Sequence, residues 1–215
     1  MRSAHQARVG DPPGEHFRRA RWVSRAGELG RLVEARTGRP LALLHGQPQR
    51  RVVLKSPFHL GRLEALLAAV PGATVVRTHR DPAVAVASWC SLAAVLCGAS
   101  SDRVDLAGLG RRWLEFWAVE TDRALAAGAG IHDVRYESLV ADPLAEVERL
   151  YGRIGLPLSG TARRRMASWL RRHHRRRVSA HRYALEDFAL DRAEVDRRFA
   201  RYLDWAGARG LLDVR

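Results

Sequence analysis

Ala73-Thr74-Val75-Val76-Arg77-Thr78-His79-Arg80-Asp81-Pro82-Ala83-Val84-Ala85-Val86-Ala87-Ser88 is the stretch that decides the fold. Pro71-Gly72 breaks whatever precedes it, and the β-branched run that follows predicts a short buried strand over about 74–78. Asp81-Pro82 then reads as a helix start. A carboxylate at the cap accepts orphan backbone N–H groups, and proline suits the first helical position because its missing donor is not needed there. The apolar residues beyond it carry the helix to about Cys97. Arg80 therefore falls at a strand's carboxyl end and Ser88 in the second turn of the next helix. A guanidinium and a hydroxyl converging beside a helix N-terminus suit a phosphate monoester. The plainer reading makes Arg80 a surface arginine and Ser88 a packing residue.

Working outward, Arg51-Val52-Val53-Leu54-Lys55 reads as a second apolar strand, ending in Lys55-Ser56-Pro57. Leu60, Leu63, Leu66, Leu67 and Val70 recur at helical spacing after it. Strand, helix, strand predicts a parallel pair with a right-handed crossover. Such sheets gather ligands at the carboxyl ends of their strands, where Lys55 and Arg80 both fall. Downstream, Asp105 is a candidate cap for a helix through Leu125, with Trp113, Phe116 and Trp117 as core. Ile131 to Tyr136 reads as a third strand. Asp142-Pro143 repeats the helix start, with Leu144, Val147, Leu150, Tyr151 and Ile154 as the buried face. Ser159 caps the helix bearing Met166, Trp169 and Leu170, which runs into the basic Arg171–Arg177 tract, read as a solvated loop. Asp191 caps a last helix with Val195, Phe199, Tyr202 and Leu203 inward.

Three blocks together carry a family likeness. Lys55-Ser56-Pro57-Phe58-His59-Leu60, Thr78-His79-Arg80-Asp81-Pro82 with Ser88, and Tyr136-Glu137-Ser138-Leu139 with Asp142-Pro143 stand in order along the chain. With His181-Arg182-Tyr183-Ala184-Leu185-Glu186-Asp187-Phe188, they make the chain resemble the sulfotransferases that use 3′-phosphoadenosine-5′-phosphosulfate (PAPS), especially their bacterial branch. The likeness runs from about Arg51 to about Tyr202. It implies a three-layer, P-loop-NTPase-like α/β domain with a parallel sheet. It also implies that Arg80 and Ser88 hold the donor's 3′-phosphate and that Tyr136 lies near its adenine. Lys55 would steady the bridging oxygen of the leaving group. His59 is the local candidate for the base, with His79 as a rival. Cytosolic members of the family place a histidine two residues after the lysine, where this chain has Pro57.

The family's opening strand and phosphosulfate loop have no counterpart before Lys55, and G-x-x-x-x-G-K-[ST] does not occur. The sheet is therefore expected to be incomplete at its N-terminal strand, and transfer to an unknown hydroxyl or amine acceptor to be weak. The alternatives are an inactive remnant that only binds PAPS or its product, and a basic polyanion or nucleic-acid binder.

Composition narrows these classes. The chain has 215 residues, 47% hydrophobic, enough for one domain with a real core. The expected layout is a loose leader over 1–20, one α/β domain over 21–207 and a tail over 208–215. No apolar run spans a membrane, and the polar start lacks a signal segment, which predicts a cytoplasmic protein. Net charge is +14, yet all but one of the 37 basic residues are arginines spread along the chain, so nucleic acid is disfavoured as a partner. The exception is Lys55, where a compact ammonium suits the role. Cys90 and Cys97 stand seven residues apart on one helix, about 10 Å by rise, too far for a disulfide, and are expected in the core. No Cys/His set has ligand spacing, so no metal is expected.

Overall fold

The computed structural model describes residues 53, 55–127, 130–174 and 183–213. The chain divides into two compact units, residues 1–73 and 74–215. In the first unit, Pro57–Arg62 forms a 3-10 turn and Leu63–Ala69 forms helix α1. Of the strand expected at 51–55, only Val53 and Lys55 are described, and neither is in regular structure. The expectations for the leader and for a phosphosulfate loop fall on residues outside the described ones.

The second unit is built on strands β1, Val75–His79, and β2, Ile131–Arg135. They pair in parallel with Val75 beside Ile131, Arg77 beside Asp133 and His79 beside Arg135. The parallel pairing expected of these segments is therefore observed. Tyr136 lies one residue beyond the strand predicted to contain it and opens helix α4 instead. In order, the helices of this unit are α2 (Pro82–Gly98), α3 (Leu106–Leu125), α4 (Tyr136–Ala141), α5 (Pro143–Arg153), α6 (Gly160–His174), α7 (Arg192–Arg198) and α8 (Ala200–Gly207). Among the described residues, no helix is long and apolar enough to cross a membrane.

Capping chemistry sets the boundaries. Asp81 accepts from the Ala83 N–H, Asp105 from Gly108, Asp142 from Ala145 and Asp191 from Glu194, at 2.7–3.0 Å. Ser159 Oγ accepts from the Ala162 N–H at 3.1 Å. Each such cap stabilises a helix start by about 1 kcal/mol. The last helix is broken at Phe199 into α7 and α8, where one had been expected.

The core lies between α2, α3, α7 and α8. Trp89 of α2 meets Trp113 and Trp117 of α3 edge to face, with ring centroids 5.1 and 4.9 Å apart. Trp117 is buried, but Trp113 and Phe116 are only half-buried, less than their aromatic stripe predicts. Cys90 is buried and its thiol pushed up to about 12 by desolvation, whereas Cys97 is exposed and is no core thiol. On α5, the predicted apolar face is half-buried, and the helix's buried residue is Glu146, held by Arg149 and Arg153. Gly110 lets the 3-10 turn Glu186–Phe188 lie against α3, since a Cβ there would stand 2.3 Å from the Phe188 carbonyl oxygen.

Candidate functional site

Arg80 follows β1 and Tyr136 follows β2, so the parallel register delivers both to the same edge of the sheet. The Arg80 guanidinium carbon lies 4.5 Å from the centre of the Tyr136 ring. A cation over an aromatic face is held without losing its hydrogen-bond donors, which stay available to an anion. Ser88, half-buried, sits one and a half turns into α2.

Behind Arg80 lies a buried polar frame. Alternation along β1 turns Val75, Arg77 and His79 to one face and leaves Val76 and Thr78 exposed. Parallel register puts Asp133 on the same face. Its Oδ1 accepts from Arg77 Nε and from His79 Nε2, both at 2.8 Å. Arg77 Nη1 also donates to the Ala124 carbonyl at 2.9 Å, and its guanidinium lies over Trp205 of α8 at 4.9 Å. The other nitrogen of His79, Nδ1, is 3.0 Å from Tyr202 Oη.

These contacts assign the protons. Burial holds the His79 pKa below its ordinary value, so the ring is neutral at neutral pH. With Asp133 as acceptor, the proton sits on Nε2, and Nδ1 accepts the Tyr202 hydroxyl. Burial pushes the Tyr202 phenol upward, so it keeps its proton. Burial alone would raise Asp133, but the bonds from Arg77 and His79 outweigh it and hold the carboxyl below its usual range. A continuous chain thus runs from Tyr202 through His79 to Asp133 and Arg77. His79, 2% exposed and bonded at both nitrogens, cannot serve as a base to an incoming acceptor; that rival role is corrected.

Asp81 makes a second tether. One oxygen caps α2 and the other accepts from Arg192 Nη1 at 2.8 Å, tying the start of α7 to the turn after β1. Lys55, exposed, and His59, half-buried on the 3-10 turn, belong to the first unit, so they and the Arg80–Tyr136 pair are described separately. Sequence reasoning missed Arg77, Asp133 and Tyr202. A polar pair at alternate positions of an otherwise apolar strand, Arg77 and His79, was the available signal. Among the described residues, no three His, Cys, Asp or Glu gather as a metal site would require.

A sequence profile of the sulfotransferase family matches residues 14–160, which begins well upstream of Arg51. The omega-hydroxy-beta-dihydromenaquinone-9 sulfotransferase Stf3 of Mycobacterium bovis is 26% identical over 167 residues, covering 74% of this chain and 42% of that protein. The chain thus spans about two fifths of the length of the curated relatives it matches. Among solved structures, sulfotransferase STF9 of Mycobacterium avium superposes with a TM-score of 0.64 at 27% identity, covering 75% of this chain and 42% of that one. Sulfotransferase STF1 of Mycobacterium tuberculosis gives 0.57 at 34% identity, covering 71% and 40%. These likenesses place the two-stranded unit in the P-loop-NTPase-like α/β class.

Proposed function

Because the chain belongs to the sulfotransferase family, we propose that it binds PAPS at the carboxyl edge of β1 and β2 and passes its sulfuryl group to an alcohol. The observation that carries the reading is the Arg80 guanidinium held over Tyr136 where both parallel strands end. Arg80 and the Ser88 hydroxyl hold the 3′-phosphate, and the Tyr136 ring packs beside the purine. The donor supplies an S–O bond whose cleavage leaves 3′-phosphoadenosine 5′-phosphate (PAP). As the acceptor oxygen bonds to sulfur, negative charge grows on the bridging oxygen, which the Lys55 ammonium neutralises. The acceptor's proton passes to His59. An apolar alcohol is the acceptor class that the likeness to the menaquinone-type sulfotransferase favours, and the cytoplasm is the setting that goes with this reading.

The test is a thermal shift with PAP, ATP and duplex DNA in parallel, followed by transfer of labelled sulfate to a panel of alcohols and amines. A ligand that binds only the folded state at a hundred times its Kd adds about 2.7 kcal/mol of stability. Stabilisation by PAP well beyond that by ATP, with transfer abolished in Lys55→Ala, is the expected result. Equal shifts with PAP and ATP would sink the 3′-phosphate site. A PAP shift without transfer would leave a nucleotide-binding protein. A shift with DNA alone would favour the polyanion reading.

A further inference from the structure

We propose that the α5–α6 face is a docking surface for an anionic lipid bilayer, with Trp169 at the interface and Arg165 and Arg172 on lipid headgroups. Helix α6 carries Arg163, Arg164, Arg165, Arg171 and Arg172 and no carboxylate. None of its described residues is buried, and Trp169 is 53% exposed. An open groove of about 630 Å³ runs between the two helices. Leu144 and Val147 of α5 and Met166, Trp169 and Leu170 of α6 line it, and Arg165 and Arg172 border it. Arg165 and Arg172 are the i−4 and i+3 neighbours of Trp169, so all three share one stripe of the helix.

The charge of this face is largely uncompensated. Several arginines elsewhere meet carboxylates: Arg77 with Asp133, Arg123 with Glu120, Arg135 with Asp213, Arg192 with Asp81 and Asp196, Arg198 with Glu115. On α6, Arg163 alone pairs with an acid, Glu148, among the described residues. Arg164 and Arg172 donate to the hydroxyls of Thr161 and Ser168, which leave their charge unneutralised. Arg175, Arg176 and Arg177 extend the basic run in sequence. Trp169 is pre-set as well, since the His173 ring stacks on it at 4.2 Å and His173 Nδ1 donates to its carbonyl at 2.8 Å.

A solvated basic face accounts for the arginines but leaves the apolar groove unexplained. Nucleic acid would neutralise the arginines and still leave Met166, Leu144 and Val147 in water. An anionic bilayer satisfies both at once, with phosphates for the guanidinium groups and the acyl boundary for the groove. Tryptophan is the side chain whose apolar body and N–H suit that boundary. The inference stands apart from sulfuryl transfer, because no residue of the proposed PAPS site takes part.

The experiment is co-sedimentation of the full chain with phosphatidylcholine vesicles, with and without phosphatidylglycerol, at low and high salt. Binding to the anionic vesicles alone, weakened by salt, is expected. Arg165→Ser and Arg172→Ser should each weaken it about fivefold, and Trp169→Ala by at least as much, without lowering the melting temperature of these exposed sites. Binding that ignores phosphatidylglycerol, or that survives all three substitutions, overturns the proposal. So does the absence of vesicle binding, a preference for duplex DNA over vesicles, or self-association that Trp169→Ala abolishes.

Discussion

Replacing Tyr202 by Phe removes one oxygen and leaves the ring packing in place, so it isolates the hydrogen-bond chain behind Arg80. One partner is stranded: the Nδ1 acceptor of His79, whose side chain is 2% exposed. An orphaned buried polar group costs about 1–3 kcal/mol. The predicted destabilisation is about 2 kcal/mol, or about 4–8 °C in melting temperature for a chain of this length. Affinity for PAP relative to adenosine 5′-phosphate should also fall about tenfold, since His79, the residue before Arg80, loses a bond that fixes the strand end from which Arg80 extends. Urea denaturation at unchanged m gives the first quantity and calorimetric titration the second. A destabilisation below about 0.5 kcal/mol would refute the proton assignment. Unchanged PAP preference in a protein whose parent discriminates would refute the positioning role and leave the PAPS site standing.

Further predictions address the site and its frame. Arg80→Ala should weaken PAP binding by about 2–3 kcal/mol, the scale of a lost charge-assisted bond, and leave adenosine binding unchanged; equal losses for both ligands in titration would contradict the phosphate role. Gly110→Ala, whose Cβ would meet the Phe188 carbonyl at 2.3 Å, should cost about 1–3 kcal/mol in denaturation and expose the 186–188 turn to protease; full stability would mean that the turn is not anchored there. His79 and Asp133 both have lowered pKa values, so the unfolded chain takes up protons first and acid must destabilise. Their contribution is complete above about pH 6.5, declines as pH falls toward the lowered His79 value, and declines again below about 3.8. Melting curves across that range should show the first decline vanish in His79→Asn; a stability that rises between about pH 6.5 and 5 would contradict the sign.

What could be read from the sequence was local. Strand β1, predicted at 74–78, lies at 75–79, and Asp81, Asp105, Asp142, Asp191 and Ser159 all cap as predicted, because a cap needs only its own next few residues. The packing of Arg80 over Tyr136 was not predicted; it emerges from the parallel register that ends both strands at one edge. Nor was the frame behind them, because His79 meets Tyr202 across 123 residues and no periodicity encodes that partnership. Burial was also misjudged where the pattern was amphipathic without a partner. Leu144 and Val147 have helical spacing, yet they line an open groove, while Glu146 is buried because two arginines neutralise it. Cys97 lies at the distal end of an apolar helix, so composition placed it inside, yet it is exposed.

The lengths of chain between these partners set an order of assembly. A ribosome delivers residues from the amino end, so β1 and β2, paired at a separation of 56 residues, can register before α8 is synthesised. Until Tyr202 and Trp205 emerge, the His79 ring lacks its cover, and the burial that lowers its pKa is missing while Asp133, which raises it, is already in place. A nascent chain stalled ahead of Ala200 should therefore hold its strand pair yet show a His79 resonance that titrates higher than in the finished protein, moving downward only when α8 is supplied as a peptide. The cover over His79 would then arrive only with α8, however early the strands that carry His79 and Asp133 are made.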